Sequence, residues 1–159
     1  MKTMKNLLFF PLVLIALLLL TLGFFEGRKA YWDNRVQKMC NKDGGTTVFE
    51  HVTISRDDAL NGGLMRGDLF AIPAGKNEKT IFYVNFESKN IRDSDPLIFR
   101  SETSIVRVKD SKIIAMMIGY ARVGGDFPSF SHPTHQSCRE RSKALINFDK
   151  AVQIKEESK

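Results

Sequence analysis

Several residue patterns that would identify a function are missing from this 159-residue chain. Its two cysteines form no Cys-x-x-Cys unit, which excludes the commonest zinc-binding patterns. No Gly-x-x-x-x-Gly-Lys segment is present, so neither glycine pair belongs to a phosphate-binding loop, and no Gly-x-Ser-x-Gly unit marks a hydrolase nucleophile. No extended basic stripe with interleaved aromatic residues argues for nucleic acid as a partner.

The clearest positive signal is an uncharged apolar run from Leu7 to Phe25. As a helix that rises about 1.5 Å per residue, the run reaches roughly 29 Å, close to the ~30 Å hydrocarbon core of a bilayer. Lys2 and Lys5 precede it, and basic residues before a first apolar segment keep that end in the cytoplasm. The sequence therefore predicts a single inner-membrane anchor, with residues 26–159 in the periplasm.

The alternative is a cleaved secretory signal peptide, residues 1–25, followed by release into the periplasm. The small residues of Thr21-Leu22-Gly23 would be the cleavage site, but Ala-x-Ala is absent. Cys40 is the first cysteine after the run, so a lipid-attachment site is not predicted. Arg28 and Lys29 follow the run and partly oppose the predicted orientation. Both alternatives place the rest of the chain on the same side of the membrane.

About 134 residues follow the apolar run. They are enough for one domain and too few for two domains that each bury a hydrophobic core. The 24 basic residues include Lys2 and Lys5, so this part carries 22 basic and 18 acidic residues, a net charge of +4. The charges are interspersed rather than blocked, which is typical of a solvated surface. Attraction to anionic lipid or polymer is the secondary interpretation.

Residue periodicity predicts an α+β domain, in which an antiparallel sheet of four to five strands is flanked by N- and C-terminal helices. Trp32, Val36, Met39 and Cys40 share one face of a helix that ends near Asn41. Four runs rich in β-branched and aromatic residues predict the strands, namely 46–54, 80–87, 97–109 and 112–122. A hairpin turn is predicted at Asp110-Ser111. Apolar residues at helical spacing in 139–159 predict a charged terminal helix.

Cys40 and Cys138 have two possible roles. Together with His132 and His135 they complete a tetrahedral zinc ligand set by residue type. An exported protein, however, lies in an oxidising compartment, where a disulfide persists and free thiolate ligands do not. A Cys40–Cys138 bond is the favoured prediction, and it would join the start of the domain to its end.

His132 and His135 could also act without the cysteines, as metal ligands or as an acid and a base near neutral pH. A carboxylate such as Asp126 or Asp43 would have to assist them. No carboxylate stands at a recognisable spacing, so exposed loop histidines are the favoured interpretation and no metal or other cofactor is predicted. The sequence favours a non-enzymatic role over an enzyme.

Two segments together resemble a family of small, uncharacterised bacterial envelope proteins. The first runs from Trp32 to Cys40-Asn41-Lys42-Asp43-Gly44-Gly45, and the second combines Tyr120 to Gly124-Gly125-Asp126-Phe127-Pro128 with His132-Pro133 and Ser137-Cys138. Many members of that family begin with a lipoprotein signal, which this chain lacks, and this chain extends about twenty residues beyond Cys138. The resemblance implies no established activity. It implies that the two glycine-rich turns lie near each other once the cysteines are bonded.

These observations predict a membrane-anchored periplasmic protein that binds another envelope protein, as an accessory or an inhibitor. The alternative is a small periplasmic metal-binding enzyme or hydrolase that uses His132 and His135. The predicted binding surface combines the two glycine-rich turns with nearby charged residues, namely Lys42, Asp43, Gly44, Gly45, Arg122, Gly124, Gly125, Asp126 and His132.

Overall fold

A computed structural model describes residues 2–66, 69–76, 80–125, 133–138, 148 and 150–155 of the chain. It confirms the α+β class: a long N-terminal helix, a short second helix and a five-stranded antiparallel sheet. The helices are α1 (Lys2–Asp43) and α2 (Arg56–Asn61). The strands are β1 (Gly45–Val48), β2 (Val52–Ile54), β3 (Met65–Arg66), β4 (Leu69–Phe70), β5 (Phe82–Arg92), β6 (Leu97–Arg107), β7 (Lys112–Val123), β8 (His135–Ser137) and β9 (Val152–Ile154).

The apolar run and the predicted helix around Trp32 form one continuous helix, α1. Its apolar part is long and uncharged enough to cross a membrane, and the side chains from Phe10 to Phe24 pack against little else in the protein. The helix ends at two glycines. A Cβ on Gly44 would lie 2.6 Å from the Cys40 carbonyl oxygen, and Gly45 has a φ of 124°, so larger residues would be strained at this turn.

The main sheet has the strand order β1-β7-β6-β5, and β8 also pairs with β7. Strand β6 occupies one side of β7. Strands β1 and β8 share the other side, where β1 pairs with residues 115–118 and β8 pairs with residues 121–123. The predicted hairpin between β6 and β7 is present. Its loop holds four residues rather than two, since Arg107 and Lys112 are the last pair, and Ser111 takes a positive φ of 56° to close it.

Two predicted elements differ from the structure. The predicted strand 46–54 is split into β1 and β2, because Phe49 and Glu50 both donate their N–H groups to the Ile114 carbonyl and the chain leaves the main sheet there. Val152–Ile154 is strand β9, paired in parallel with β2, where the sequence predicted a helix. Val152 and Ile154 both pack against the core, which a strand allows by alternation. Most of 139–159 lies outside the described residues.

The sheet carries a hydrophobic cluster on each face. Ile98 of β6 and Tyr120 of β7 pack against Val36 and Cys40 of α1. Residues of opposite parity on the same strands, such as Ile105, point to the other face and join the cluster around α2 and β9. The buried members of that second cluster are Ala59, Leu64, Phe82, Ile105, Ile114, Ala115, Phe148, Ala151 and Val152. Helix α1 is therefore fixed to one face of the sheet.

Candidate functional site

The outer strand of the main sheet, β5, pairs with β6 on one side. Its other side bonds to the chain at Val84, whose N–H donates to the Pro73 carbonyl at 2.8 Å and whose carbonyl accepts from the Gly75 N–H at 2.9 Å. Residues 85–91 are all exposed, and no strand among the described residues pairs with their outer side. We call residues 85–91 the open edge of β5.

The backbone of the open edge presents an ordered row of hydrogen-bonding groups. In a strand, the N–H and C=O of alternate residues point to the same side. Since both groups of Val84 point outward, those of Phe86, Ser88 and Asn90 point outward too. The row ends at an irregularity in the pairing between Asn90 and Arg92. Three residues thus offer six backbone groups to a further strand.

Two apolar side chains on the open edge are exposed to water. Phe86 is 63% exposed and Ile91 is 49% exposed. Phe86 follows Phe82 and Val84 on the same face of β5, but it lies opposite Thr103, beyond the residues that the second cluster buries. An exposed aromatic side chain beside unpaired backbone groups is a combination that strand-binding sites use.

The charged residues of the open edge lack complementary partners in the sheet. Glu87 lies directly opposite Glu102, and Lys89 lies directly opposite Arg100. Like charges in this arrangement weaken a sheet. Arg100 and Glu102 neutralise each other within β6 at 2.7 Å, and this hydrogen bond raises the pKa of Arg100. Among the described residues, the Glu87 carboxylate accepts a side-chain hydrogen bond from Asn85 alone, so its charge and that of Lys89 stay available to an added strand.

The two glycine-rich turns do not meet. Gly45 pairs with Ile118 of β7, whereas Gly124 follows the end of the same strand. Gly124 lies six positions beyond Ile118 along the chain, which is roughly 20 Å in an extended strand. The Cys40–Cys138 disulfide is confirmed, and it lies between the two turns. There it fills the interval between β1 and β8, where the Tyr120 N–H points toward the Cys138 Sγ at 3.4 Å.

The turn at Gly44 and Gly45 has one specific contact nearby. The Tyr120 hydroxyl donates to the Asp43 carboxylate at 2.8 Å, which ties the end of α1 to β7. Burial of the phenol and this hydrogen bond raise the pKa of Tyr120. Lys42 is exposed in the last turn of α1. These contacts stabilise the junction between helix and sheet.

The turn at Gly124 and Gly125 packs on the loop between β5 and β6. Both glycines have positive φ values, 82° and 83°, and a Cβ on Gly124 would lie 2.6 Å from Asp95 Oδ1. The Gly125 N–H donates to the same oxygen at 2.6 Å. Arg28 of α1 contacts Asp95 as well, with 3.2 Å between Nη1 and Oδ2. The predicted site residues Asp126 and His132 lie outside the described residues.

Arg122 is the predicted site residue with the most demanding environment. Its side chain is only 1% exposed, and its Nε donates to Asp33 Oδ1 at 2.6 Å. Its other nitrogens contact the Gly124 carbonyl and the Thr134 hydroxyl. A buried guanidinium with these partners is satisfied within the protein and cannot reach a ligand. Asp33 was not predicted, because 89 residues separate it from Arg122.

The histidines do not come together as a site in the part of the chain that the structure describes. His135 is exposed in β8 opposite Val123, and His51 lies near the other end of the domain, with its Nδ1 3.4 Å from the Lys150 carbonyl oxygen. Among these residues no group of three His, Cys, Asp or Glu side chains could hold a metal ion. A role for His132 with His135 stays a prediction.

Comparisons with known proteins assign no relative to this chain. No protein-family model, no curated protein and no solved structure matches it. The resemblance to small bacterial envelope proteins therefore stays a prediction, and the site itself must carry any functional conclusion.

Proposed function

We propose that this chain is an inner-membrane-anchored protein of the periplasm that binds an extended strand of another envelope protein at the open edge of β5. The single observation that carries the proposal is the row of outward backbone groups at Phe86, Ser88 and Asn90 beside the exposed Phe86 ring. Strand addition to a sheet edge draws its affinity from such backbone bonds and its specificity from alternate side chains.

The location is supported by three features of the chain. The side chains of α1 from Phe10 to Phe24 pack against little else in the protein, as a bilayer-facing segment requires. Lys2 and Lys5 favour a cytoplasmic N-terminus. The Cys40–Cys138 disulfide favours an oxidising compartment for the domain.

The charges of the open edge indicate the chemistry of the bound strand. In an antiparallel strand, a basic residue opposite Glu87 and an acidic residue opposite Lys89 would form the cross-strand pairs that β6 does not provide. An apolar residue would lie opposite Phe86. Read from its N-terminus, the bound strand carries an acidic residue, a spacer, a basic residue and then an apolar residue.

A second copy of this chain would match the charge pattern, but its anchor could not enter the same membrane. Two β5 strands paired about Ser88 would set Glu87 opposite Lys89 of the second copy. That pairing is antiparallel, and β5 runs toward the membrane end of the domain, since Arg92 at its end contacts Trp32 of α1. The second α1 would point away from the bilayer. The partner is therefore a different protein.

A photo-crosslinking experiment in cells that express the full chain tests the binding edge. A benzoyl-phenylalanine in place of Phe86 is expected to give a discrete adduct with an envelope protein. The same residue in place of Phe49, which is 57% exposed elsewhere on the domain, serves as the matched control. Ser88→Pro removes one outward N–H and is expected to abolish the adduct without unfolding the protein, because proline is tolerated on sheet edges.

Two results would contradict the proposal. One is an equal set of adducts from positions 86 and 49, and the other is an adduct at position 86 that survives both Ser88→Pro and the charge reversal Lys89→Glu. The anchor is tested separately, by sequencing the N-terminus of the protein purified from membranes. A chain that starts at Phe24 would show cleavage and remove the anchored part of the proposal.

A further inference from the structure

Two guanidinium groups lie against the single tryptophan of the chain. Cζ of Arg92 is 4.7 Å from the centroid of the Trp32 ring, and Cζ of Arg35 is 5.5 Å from it. Tyr31 packs edge-on against the same ring, with 5.1 Å between the two ring centroids. The aromatic ring holds both cations near each other, although their like charges repel.

Neither cation has a carboxylate partner among the described residues. Arg35 donates to the Tyr31 hydroxyl at 3.1 Å, and Arg92 donates from Nη2 to the Asp95 carbonyl at 3.2 Å. Arg92 Nε is buried and has no hydrogen-bond partner. The neighbouring Arg28, in contrast, forms an ion pair with the Asp95 carboxylate. Arg35 and Arg92 therefore keep a local excess of positive charge together with unused N–H groups.

In a retained anchor, this cluster lies just beyond the headgroup layer of a bilayer, within reach of long side chains. Trp32 follows Phe25, the last apolar residue of the run, by seven residues of the same helix, which is roughly 10 Å. The polar layer of a bilayer extends about 5 to 7 Å beyond the hydrocarbon core on each side. Helical side chains lean toward the N-terminus, so the side chains of Trp32 and Arg35 lean back toward the apolar run, and Arg92 lies against the same ring.

We propose that Trp32, Arg35 and Arg92 form a binding site for the phosphate group of an anionic phospholipid. Guanidinium groups bind phosphate through paired N–H donors, and the ring of Trp32 keeps the two groups at a fixed spacing. The phosphate would compensate the charge that no carboxylate in the described part of the chain compensates. This inference uses the retained anchor of the proposed function but not the open edge of β5.

The test uses the full chain reconstituted in nanodiscs of phosphatidylcholine that contain increasing fractions of phosphatidylglycerol. Trp32 is the only tryptophan of the chain, so in discs made with a tryptophan-free scaffold protein its fluorescence reports on this site alone. We expect its emission to change saturably with phosphatidylglycerol. Arg35→Gln together with Arg92→Gln should raise the half-saturating fraction about tenfold, the effect of losing charge-assisted hydrogen bonds worth roughly one decade in affinity.

Three further measurements make the outcome decisive. Lys109→Gln removes one positive charge at the far end of the domain and should leave the response unchanged. Arg35→Gln alone changes an exposed helix residue, so it keeps the test valid if the double variant fails to fold. Inorganic phosphate added to pure phosphatidylcholine discs distinguishes a lipid headgroup from a soluble anion. An equal response to inorganic phosphate, or equal responses of the wild-type and double-variant chains to phosphatidylglycerol, would overturn the proposal.

Discussion

Arg122 of β7 donates from Nε to Oδ1 of Asp33 in α1 at 2.6 Å, and the guanidinium is almost completely shielded from water. This pair fastens the helix to the end of the sheet that lies nearest the apolar run. Removal of one partner from a buried ion pair costs more than the pair contributes, because the other charge is left without compensation.

Asp33→Ala is therefore expected to lower the free energy of unfolding by roughly 3 kcal/mol. Arg122→Met, which removes the buried charge itself, should cost less than Asp33→Ala. Urea unfolding followed by circular dichroism measures both. Asp93→Asn, at an exposed position in the loop between β5 and β6, is the control and should change little. An Asp33→Ala midpoint that equals this control would contradict the role of the pair.

Reduction of the Cys40–Cys138 disulfide is expected to destabilise the domain strongly. The bond joins residues 98 positions apart, and in the loop-entropy model a loop of that size contributes roughly 4 to 5 kcal/mol. Unfolding in urea with and without a reducing agent measures the difference. The Cys40→Ser and Cys138→Ser variants should match the reduced wild type, and unchanged midpoints on reduction would refute the prediction.

Gly124 and Gly63 both have a positive φ, but only Gly124 has a neighbour at the position of a Cβ. Alanine at each position therefore separates the cost of backbone strain from the cost of the contact. An alanine Cβ at Gly63, with a φ of 68°, meets nothing within 4 Å, so Gly63→Ala should cost about 1 kcal/mol of stability from backbone strain alone. At Gly124 the Cβ also displaces the Asp95 carboxylate, so Gly124→Ala should cost roughly 3 kcal/mol. Equal unfolding midpoints for the two variants would show that the contact with Asp95 is unimportant.

The hairpin formed by β6 and β7 should lose stability in acid. Arg107 holds the pKa of Asp110 down to about 2, from an ordinary 3.8, and Arg107 and Lys112 lower the pKa of Glu50 through hydrogen bonds. Folding thus lowers the pKa values of Asp110 and Glu50. Their ion pairs stabilise the folded protein at pH values above the pKa values of the unfolded chain, and this stabilisation is lost as the pH falls from about 4.5 toward 2.

Asp110→Asn keeps the oxygen that accepts from the Lys112 N–H but removes the charge. It should reduce stability slightly at neutral pH and flatten the loss between pH 4.5 and 2, and added salt should shrink both effects. The measurement is the urea midpoint as a function of pH at low and high ionic strength. A variant as acid-sensitive as the wild type would exclude Asp110 from the transition.

The sequence predicts those elements whose pattern is strong and local. Alternation of apolar residues predicted strands β5, β6 and β7, and the length of the apolar run predicted the first part of α1. The predicted end of β5 at residue 87 was too early, because Ser88, Lys89 and Asn90 are polar and exposed. They extend the strand only through backbone pairing with β6, which leaves no trace in hydrophobicity.

Elements that depend on distant partners were missed for a related reason. Strand β9 has three residues and was predicted as helix, because its pairing partner β2, a part of the predicted strand 46–54, lies nearly a hundred residues away in sequence. The Asp33–Arg122 pair joins two residues that the pattern of either segment would place on a solvated surface. In the candidate site, Phe86 alternates with Phe82 and Val84 on one face of β5 but is exposed, so alternation alone does not show where a covering layer ends.

Helix α1 passes from the apolar run into the domain with no flexible linker, and this has a geometric consequence for binding. In a retained anchor, every inserted residue between Phe25 and Arg28 would raise the domain by about 1.5 Å and turn it by about 100° around the helix axis. The direction in which β5 faces along the plane of the membrane is thus set by helical phase. A partner in the same bilayer could then approach that strand from only one direction in the plane of the membrane.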